Sequence, residues 1–195
     1  MKLYLTDNSG NAYKVRVLAS VLKVPYKKVY VDWDAKEHKQ PAFLKMNPRG
    51  QVPVMKVEDQ YLWDSTAHLI YLARKFGGKS WFPSDPLKMA EVAQWLAFAQ
   101  NEVYFGLQWA RGVAKGLRGG DLEEYQAYGR KALDTLAWRL EEHEWLALKH
   151  PTIADIACYP YVKRAPEGGL SLDTYPAIKA WLKRCEKIPG WLRLD

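Results

Sequence analysis

The sequence predicts two unlike halves, an α/β half followed by an all-helical one. Three observations carry this. Residues 2–31 read as strand, helix, strand. Residues 47–65 read as turn, hairpin and the start of a capped helix. After a proline-bearing connection at 78–86, the apolar residues keep helical spacing. The predicted division is therefore 1–77, a linker 78–86, and 87–195.

Lys2 to Thr6 alternates leucine with other residues, as a buried first strand does. A loop of turn formers follows, Asp7-Asn8-Ser9-Gly10-Asn11, and then a helix with Val15, Leu18, Ala19 and Leu22 on one face. Lys27 to Val31 is a second strand, and Pro41 to Met46 a short helical segment. Val54–Val57 and Gln60–Trp63 form a hairpin reversed at Glu58-Asp59. Asp64-Ser65 caps a helix carrying Leu69, Leu72, Ala73 and Phe76. The order βαβ, short helix, ββα is that of a thioredoxin-like domain.

In the second half one long helix is expected over Leu87–Lys115, with Met89, Val92, Ala93, Leu96, Ala99 and Val103 on one face. Another runs from Leu122 to Trp145 with Leu133, Leu136, Ala137 and Leu140 inward. Thr152-Ile-Ala-Asp155 is a capping box that opens a helix, which Pro160 should kink or end. The last helix starts at Asp173–Pro176 and buries Ile178, Trp181, Leu182 and Cys185.

Composition narrows the function classes. Of the 195 residues, 48% are hydrophobic and 13% aromatic, which suits a packed globule. No apolar run reaches the ~20 residues of a membrane span, and the start enters a strand without a signal-peptide pattern, so a cytoplasmic protein is expected. The net charge of +7 raises nucleic acid as a partner, yet the cations are spread along the chain and no nucleic-acid motif appears. The densest group, Arg111, Lys115 and Arg118, reads as a solvated helix end or as an electropositive approach to an anionic substrate. Cys158 and Cys185 are far apart in apolar patterns, which argues against dithiol redox chemistry, and the four histidines have no metal-ligand spacing. No metal is expected.

The chemistry concentrates between Asn47 and Ser65. Pro53 stands where a strand begins, and Val52-Pro53 is a candidate cis bond that would turn Val52 backbone groups toward an extended peptide ligand. The Asp64-Ser65 helix start offers free N–H groups to a carboxylate, and Asp64 itself suits an ammonium. A small zwitterionic peptide fits both.

On Asn47-Pro-Arg-Gly-Gln-Val-Pro53 followed by Asp64-Ser65, the chain resembles the glutathione transferase family, whose pattern is Asn-Pro-x-Gly-x-Val-Pro and then acid-Ser. The helical half, with its capping box, is similar too. The resemblance implies a cis Pro53, glutathione as co-substrate, and Asp64 and Ser65 at its γ-glutamyl end. Ser9 matches the activating hydroxyl of serine-type members, and Asn11 the second position of a Ser/Thr-x-Asn loop. Ser9 ranks first and Asn11 close behind, although both also cap helices well. Tyr4 is the alternative from the first strand, and cysteine-type members are excluded because the first half holds no cysteine. His38 matches a histidine at the glycyl carboxylate, with Lys39 as a substitute and Gln51 facing the same end; Arg49 reads as a surface turn residue. A second-substrate pocket is expected between the halves, with Asn8, Tyr104, Gln108, Trp109 and Arg111 as lining and flat apolar electrophiles as ligands. The resemblance further implies a homodimer. The competing readings are a glutathione-dependent peroxide or disulfide reductase, and a non-catalytic interaction or stress-response module.

Overall fold

A computed structural model describes residues 1–194 and divides them into two compact units. The first unit holds Met1–Gly78 together with the segment from Pro189 onward; the second is Lys79–Ile188. The terminal segment joins the first unit through the Tyr13 hydroxyl, which donates to the Leu192 carbonyl at 2.6 Å.

In the first unit β1 (Lys2–Leu5), β2 (Lys27–Tyr30), β3 (Val54–Val57) and β4 (Gln60–Trp63) form one sheet in the order β2-β1-β3-β4. β1 pairs parallel to β2 and antiparallel to β3, and β3 and β4 make the hairpin. This is the thioredoxin-like arrangement expected of the βαβ and ββα halves. Tyr4 lies directly opposite Val54, so both side chains share a sheet face. There they meet Phe43 of α2 (Pro41–Leu44), Val31, Met46 and Val52 in one apolar cluster. Leu3, Leu5 and Met55 point to the other face and are fully buried. The helices α1 (Gly10–Val21) and α3 (Ser65–Phe76) pack on each other. Leu69, Leu72 and Ala73 are buried as their spacing predicts, but Phe76, the last residue of α3, is half exposed.

The second unit is helical throughout: α4 (Pro86–Gln100), α5 (Trp109–Ala114), α6 (Leu122–Glu142), α7 (Ile153–Lys163) and α8 (Pro176–Glu186). No helix among the described residues is long and apolar enough to cross a membrane. The single helix expected over Leu87–Lys115 is in fact broken. α4 ends at Asn101 (φ −105°, ψ −87°), and Val103–Gln108 winds as a wider π-helical turn before α5. Tertiary packing explains what periodicity missed: a Cβ on Gly106 would lie 2.6 Å from the Gly129 Cα, so the backbone of α6 passes directly against this turn. Ala93, assigned to the buried face, is exposed, and Trp95 is buried instead. α6 stops at Glu142, short of Trp145.

Pro160 does not end α7, which continues to Lys163. Residues 153–162 are all buried, and that packing offsets the backbone bond lost at a ring without N–H. The Thr152 capping box is present as predicted, and its Asp155 does more than cap. The carboxylate also accepts from the Leu146 N–H at 3.1 Å and the Trp181 Nε1–H at 3.0 Å, joining a loop and α8 to α7.

Candidate functional site

The predicted residues gather at two ends of the hairpin region in the first unit. At one end, Asn47 is buried and works on both sides: its Nδ2 donates to the Gln51 carbonyl at 2.8 Å, and its Oδ1 accepts from the Arg49 N–H at 3.0 Å. Gly50 closes this turn with φ +56°, and a Cβ there would lie 2.8 Å from the His38 carbonyl, so only glycine fits. Lys39 donates from Nζ to the Gly50 carbonyl at 3.1 Å. His38 is buried, its ring stacked on Trp33 at 3.7 Å between centroids, and its Nδ1 has no partner among the described residues. Burial, and then the Lys39 and Lys36 charges, lower its pKa, so the ring is neutral at physiological pH. Gln51 has an exposed side chain, and the bond from Val52 to Pro53 is cis.

At the other end, Asp64 sits at φ +80°, ψ 125°, a backbone region an L-residue enters only at a cost. What holds it is capping: Oδ1 accepts from the Thr66 N–H at 2.8 Å. Its Oδ2 pairs with Arg49 at 3.2 Å, and the same guanidinium lies 5.8 Å from the Trp63 ring centroid. Arg49 is the exposed turn residue read from the sequence, and it also pairs with Asp64. A basic residue fifteen positions before an acid carries no sequence signal, because only the hairpin brings the two together. Ser65 is buried at the first position of α3, and its hydroxyl donates to Asn11 Oδ1 at 3.3 Å across the unit.

Ser9 is the N-cap of α1. Its Oγ accepts from the Ala12 N–H at 3.2 Å, which occupies a lone pair and leaves the hydroxyl proton available. Asn11, with Oδ1 on Ser65, keeps its amide N–H groups as donors. The starts of α3 and α1 are thus linked through Asn11, which stands in the first turn of α1 and not in the loop expected over Asp7–Asn11. Tyr4 lies in the apolar cluster, with burial and then Tyr61 raising its phenol pKa. Asn8 is exposed in the first loop.

The residues named from the second half lie within the helical unit. Tyr104 packs edge-on against Tyr161 at 6.1 Å and Phe105 at 5.5 Å. Trp109 stands between Phe105 and Tyr125 at 5.3 and 5.1 Å. Arg111 is committed to Glu167 at 2.8 Å, a carboxylate it shares with Lys115 at 2.7 Å. Burial works to raise the Glu167 pKa, but the hydrogen bonds from Lys115 and Arg111 outweigh it and hold the group below the usual range. Of the three clustered cations only Arg118 turns elsewhere, over the Trp109 ring at 3.8 Å.

Comparison with known proteins matches both halves. The family model for the glutathione S-transferase N-terminal domain covers residues 1–74, and that for the C-terminal domain covers 121–189. Glutathione S-transferase 1 of Manduca sexta is 32% identical over 96% of this chain and 88% of its own length. A crystal structure described as a possible glutathione S-transferase from Rhodopseudomonas palustris superposes with TM-score 0.91 at 37% identity, covering 98% of this chain and 96% of that one. A glutathione S-transferase from Pseudomonas fluorescens gives TM-score 0.91 at 36% identity, over 100% of this chain and 98% of that one. Those matches span nearly the full length of both partners, and on them the chain belongs to the glutathione S-transferase family.

Proposed function

We propose that this glutathione transferase activates the thiol of glutathione with Ser9, and that Asn11 orients the first loop against the γ-glutamyl end of the tripeptide. The observation that supports the reading is the hydrogen bond from Ser65 to Asn11, which ties the activating loop to the acid-Ser helix start. A free thiol with pKa near ~8.5 is mostly protonated at neutral pH, and lowering it by two units takes roughly 2.7 kcal/mol. The Ser9 hydroxyl has a proton to donate to the thiolate, and the α1 N-terminus adds positive potential. Asp64 and Ser65 take the γ-glutamyl group. His38, Lys39, Gln51 and the backbone of Val52 ahead of Pro53 take the glycyl end. The second substrate, an aromatic or apolar electrophile, is received by Tyr104, Gln108 and Trp109 of the helical unit, with Arg111 at the margin. The enzyme works as a cytoplasmic homodimer; sedimentation at micromolar concentration giving the 22.5 kDa monomer mass would count against that.

The test is the thiolate absorbance of bound glutathione across pH in wild type, Ser9→Ala and Asn11→Ala. The expected result is a depressed thiol pKa that returns toward ~8.5 only in Ser9→Ala, with kcat at pH 6.5 down about 10²-fold. A pKa lost only in Asn11→Ala would move the activating role to the amide. Tight binding with an unshifted pKa in all three would leave a glutathione-binding module.

A further inference from the structure

The segment from Tyr104 to Gly120 holds unused polar atoms. Gln108 Oε1, Trp109 Nε1 and Arg118 Nη1 are each buried without a hydrogen-bond partner among the described residues. Arg118 and Trp109 meet, and Gln108 is the chain neighbour of Trp109. Arg118 packs on Gly112, where a Cβ would come within 2.9 Å of its Cδ, and Gly112 follows Trp109 and Gln108 by the helical intervals that put side chains on one face. The guanidinium carbon lies 3.8 Å from the indole ring centroid, within cation–π range.

The neighbouring cations make a sharp contrast. Arg111, Lys115 and Arg164 all converge on Glu167, while Arg118 has a ring and no carboxylate. A buried N–H of a guanidinium without an acceptor is costly, so an anion that supplies one binds with that penalty relieved. The loop that carries Arg118 is open: Gly116 and Gly119 have nothing within 4 Å of a built Cβ, and the Arg118 side chain is only partly buried.

We propose that Arg118, Trp109 and Gln108 form a receptor for a carboxylate carried by the second substrate. One carboxylate oxygen accepts from Arg118 Nη1 and the other from the indole N–H. Gln108 Oε1 accepts from a hydroxyl or N–H donor next to that carboxylate. This names the substrate class as aromatic electrophiles bearing a carboxylate, and it rests on the proposed assignment of the second substrate to this helical segment.

The experiment measures calorimetric binding of two unreactive probes, 3-nitrobenzoate and its neutral amide. Alongside, it compares kcat/KM for glutathione conjugation of 4-chloro-3-nitrobenzoate and 4-chloro-3-nitrobenzamide. Wild type should favour the acid over the amide by about tenfold in both readouts, and Arg118→Gln should erase that ratio. Arg118→Lys, which keeps charge without the planar fork, should retain a small part of it. Gly112→Ala, which displaces Arg118 without altering its charge, guards against a misfolded Gln variant and should lower the ratio too. An acid-to-amide ratio near one in wild type, or one untouched in all three variants, overturns the proposal. Arg118-dependent binding of 3-nitrobenzoate by a protein that conjugates no electrophile would keep the carboxylate receptor and overturn only its assignment to a second substrate. Conjugation of 1-chloro-2,4-dinitrobenzene, which has no carboxylate, reports the glutathione reading separately.

Discussion

The stretch 47–65 and the segment 104–120 both carry an arginine beside a tryptophan, yet they differ in how their polar groups are used. In the first, Arg49 has Asp64, Asn47 has Gln51 and the Arg49 N–H, Asp64 has Thr66, and Ser65 has Asn11. In the second, among the described residues, Arg118 has the Trp109 ring and no carboxylate, and atoms of Gln108, Trp109 and Arg118 are left unpaired. The difference separates a frame from the proposed receptor. Closed hydrogen bonding holds a backbone in a shape it would not otherwise take, such as Asp64 at φ +80°. Unpartnered buried donors have their energy still to be realised with a ligand.

The comparison breaks most sharply at Asn47. Replacing it with alanine leaves the Gln51 carbonyl and the Arg49 N–H without partners, and the loss should be about 2–3 kcal/mol of unfolding free energy in a urea titration. Removing an unpaired group from the second region should cost far less. Gly112→Ala sharpens this. The clash is with the mid-chain carbons of a partly exposed arginine, and a helical alanine gains roughly 0.5–1 kcal/mol over glycine. Stability should therefore stay within about 1 kcal/mol of wild type, while the acid-to-amide ratio falls. A loss as large as that of Asn47→Ala would mean that Arg118 serves the fold.

The smallest effect is one of pH, and it belongs to the first unit. His68 is fully buried, with Nε2 donating to the Leu62 carbonyl at 2.9 Å and Nδ1 unpartnered. Burial lowers its pKa, against the hydrogen bond and the Asp64 charge, and burial also lowers that of His38. Both rings are neutral when folded, so below the unfolded value of ~6.5 the unfolded chain binds more protons. Stability is then fully present above ~6.5 and declines as pH falls through the lowered folded values. His68→Gln should flatten that decline in thermal melts between pH 7 and pH 5; an unchanged slope would assign it to other groups.

Much of this protein can be read without coordinates. The hairpin Val54–Val57 and Gln60–Trp63, the Asp64 cap and the Thr152–Asp155 box depend on a few residues close in sequence, and each stands where local chemistry puts it. The family pattern from Asn47 to Ser65 is legible for the same reason. What local chemistry does not specify is which distant backbone a helix meets. Two glycines, Gly106 and Gly129, let α6 close on the turn before α5, and the helix expected over Leu87–Lys115 divides there.

The sequence by itself determined the α/β half, the helical half after it and the turn, hairpin and cap from Asn47 to Ser65, because turns, caps and periodicity are short-range physics. The tertiary structure alone decided which charges are satisfied. Arg49 finds Asp64 through a hairpin, Arg111 and Lys115 find Glu167 across 52–56 residues, and Arg118 finds an indole and no acid. Pairing of this kind depends on where the packed backbone delivers each side chain, and the separation along the chain carries no trace of it.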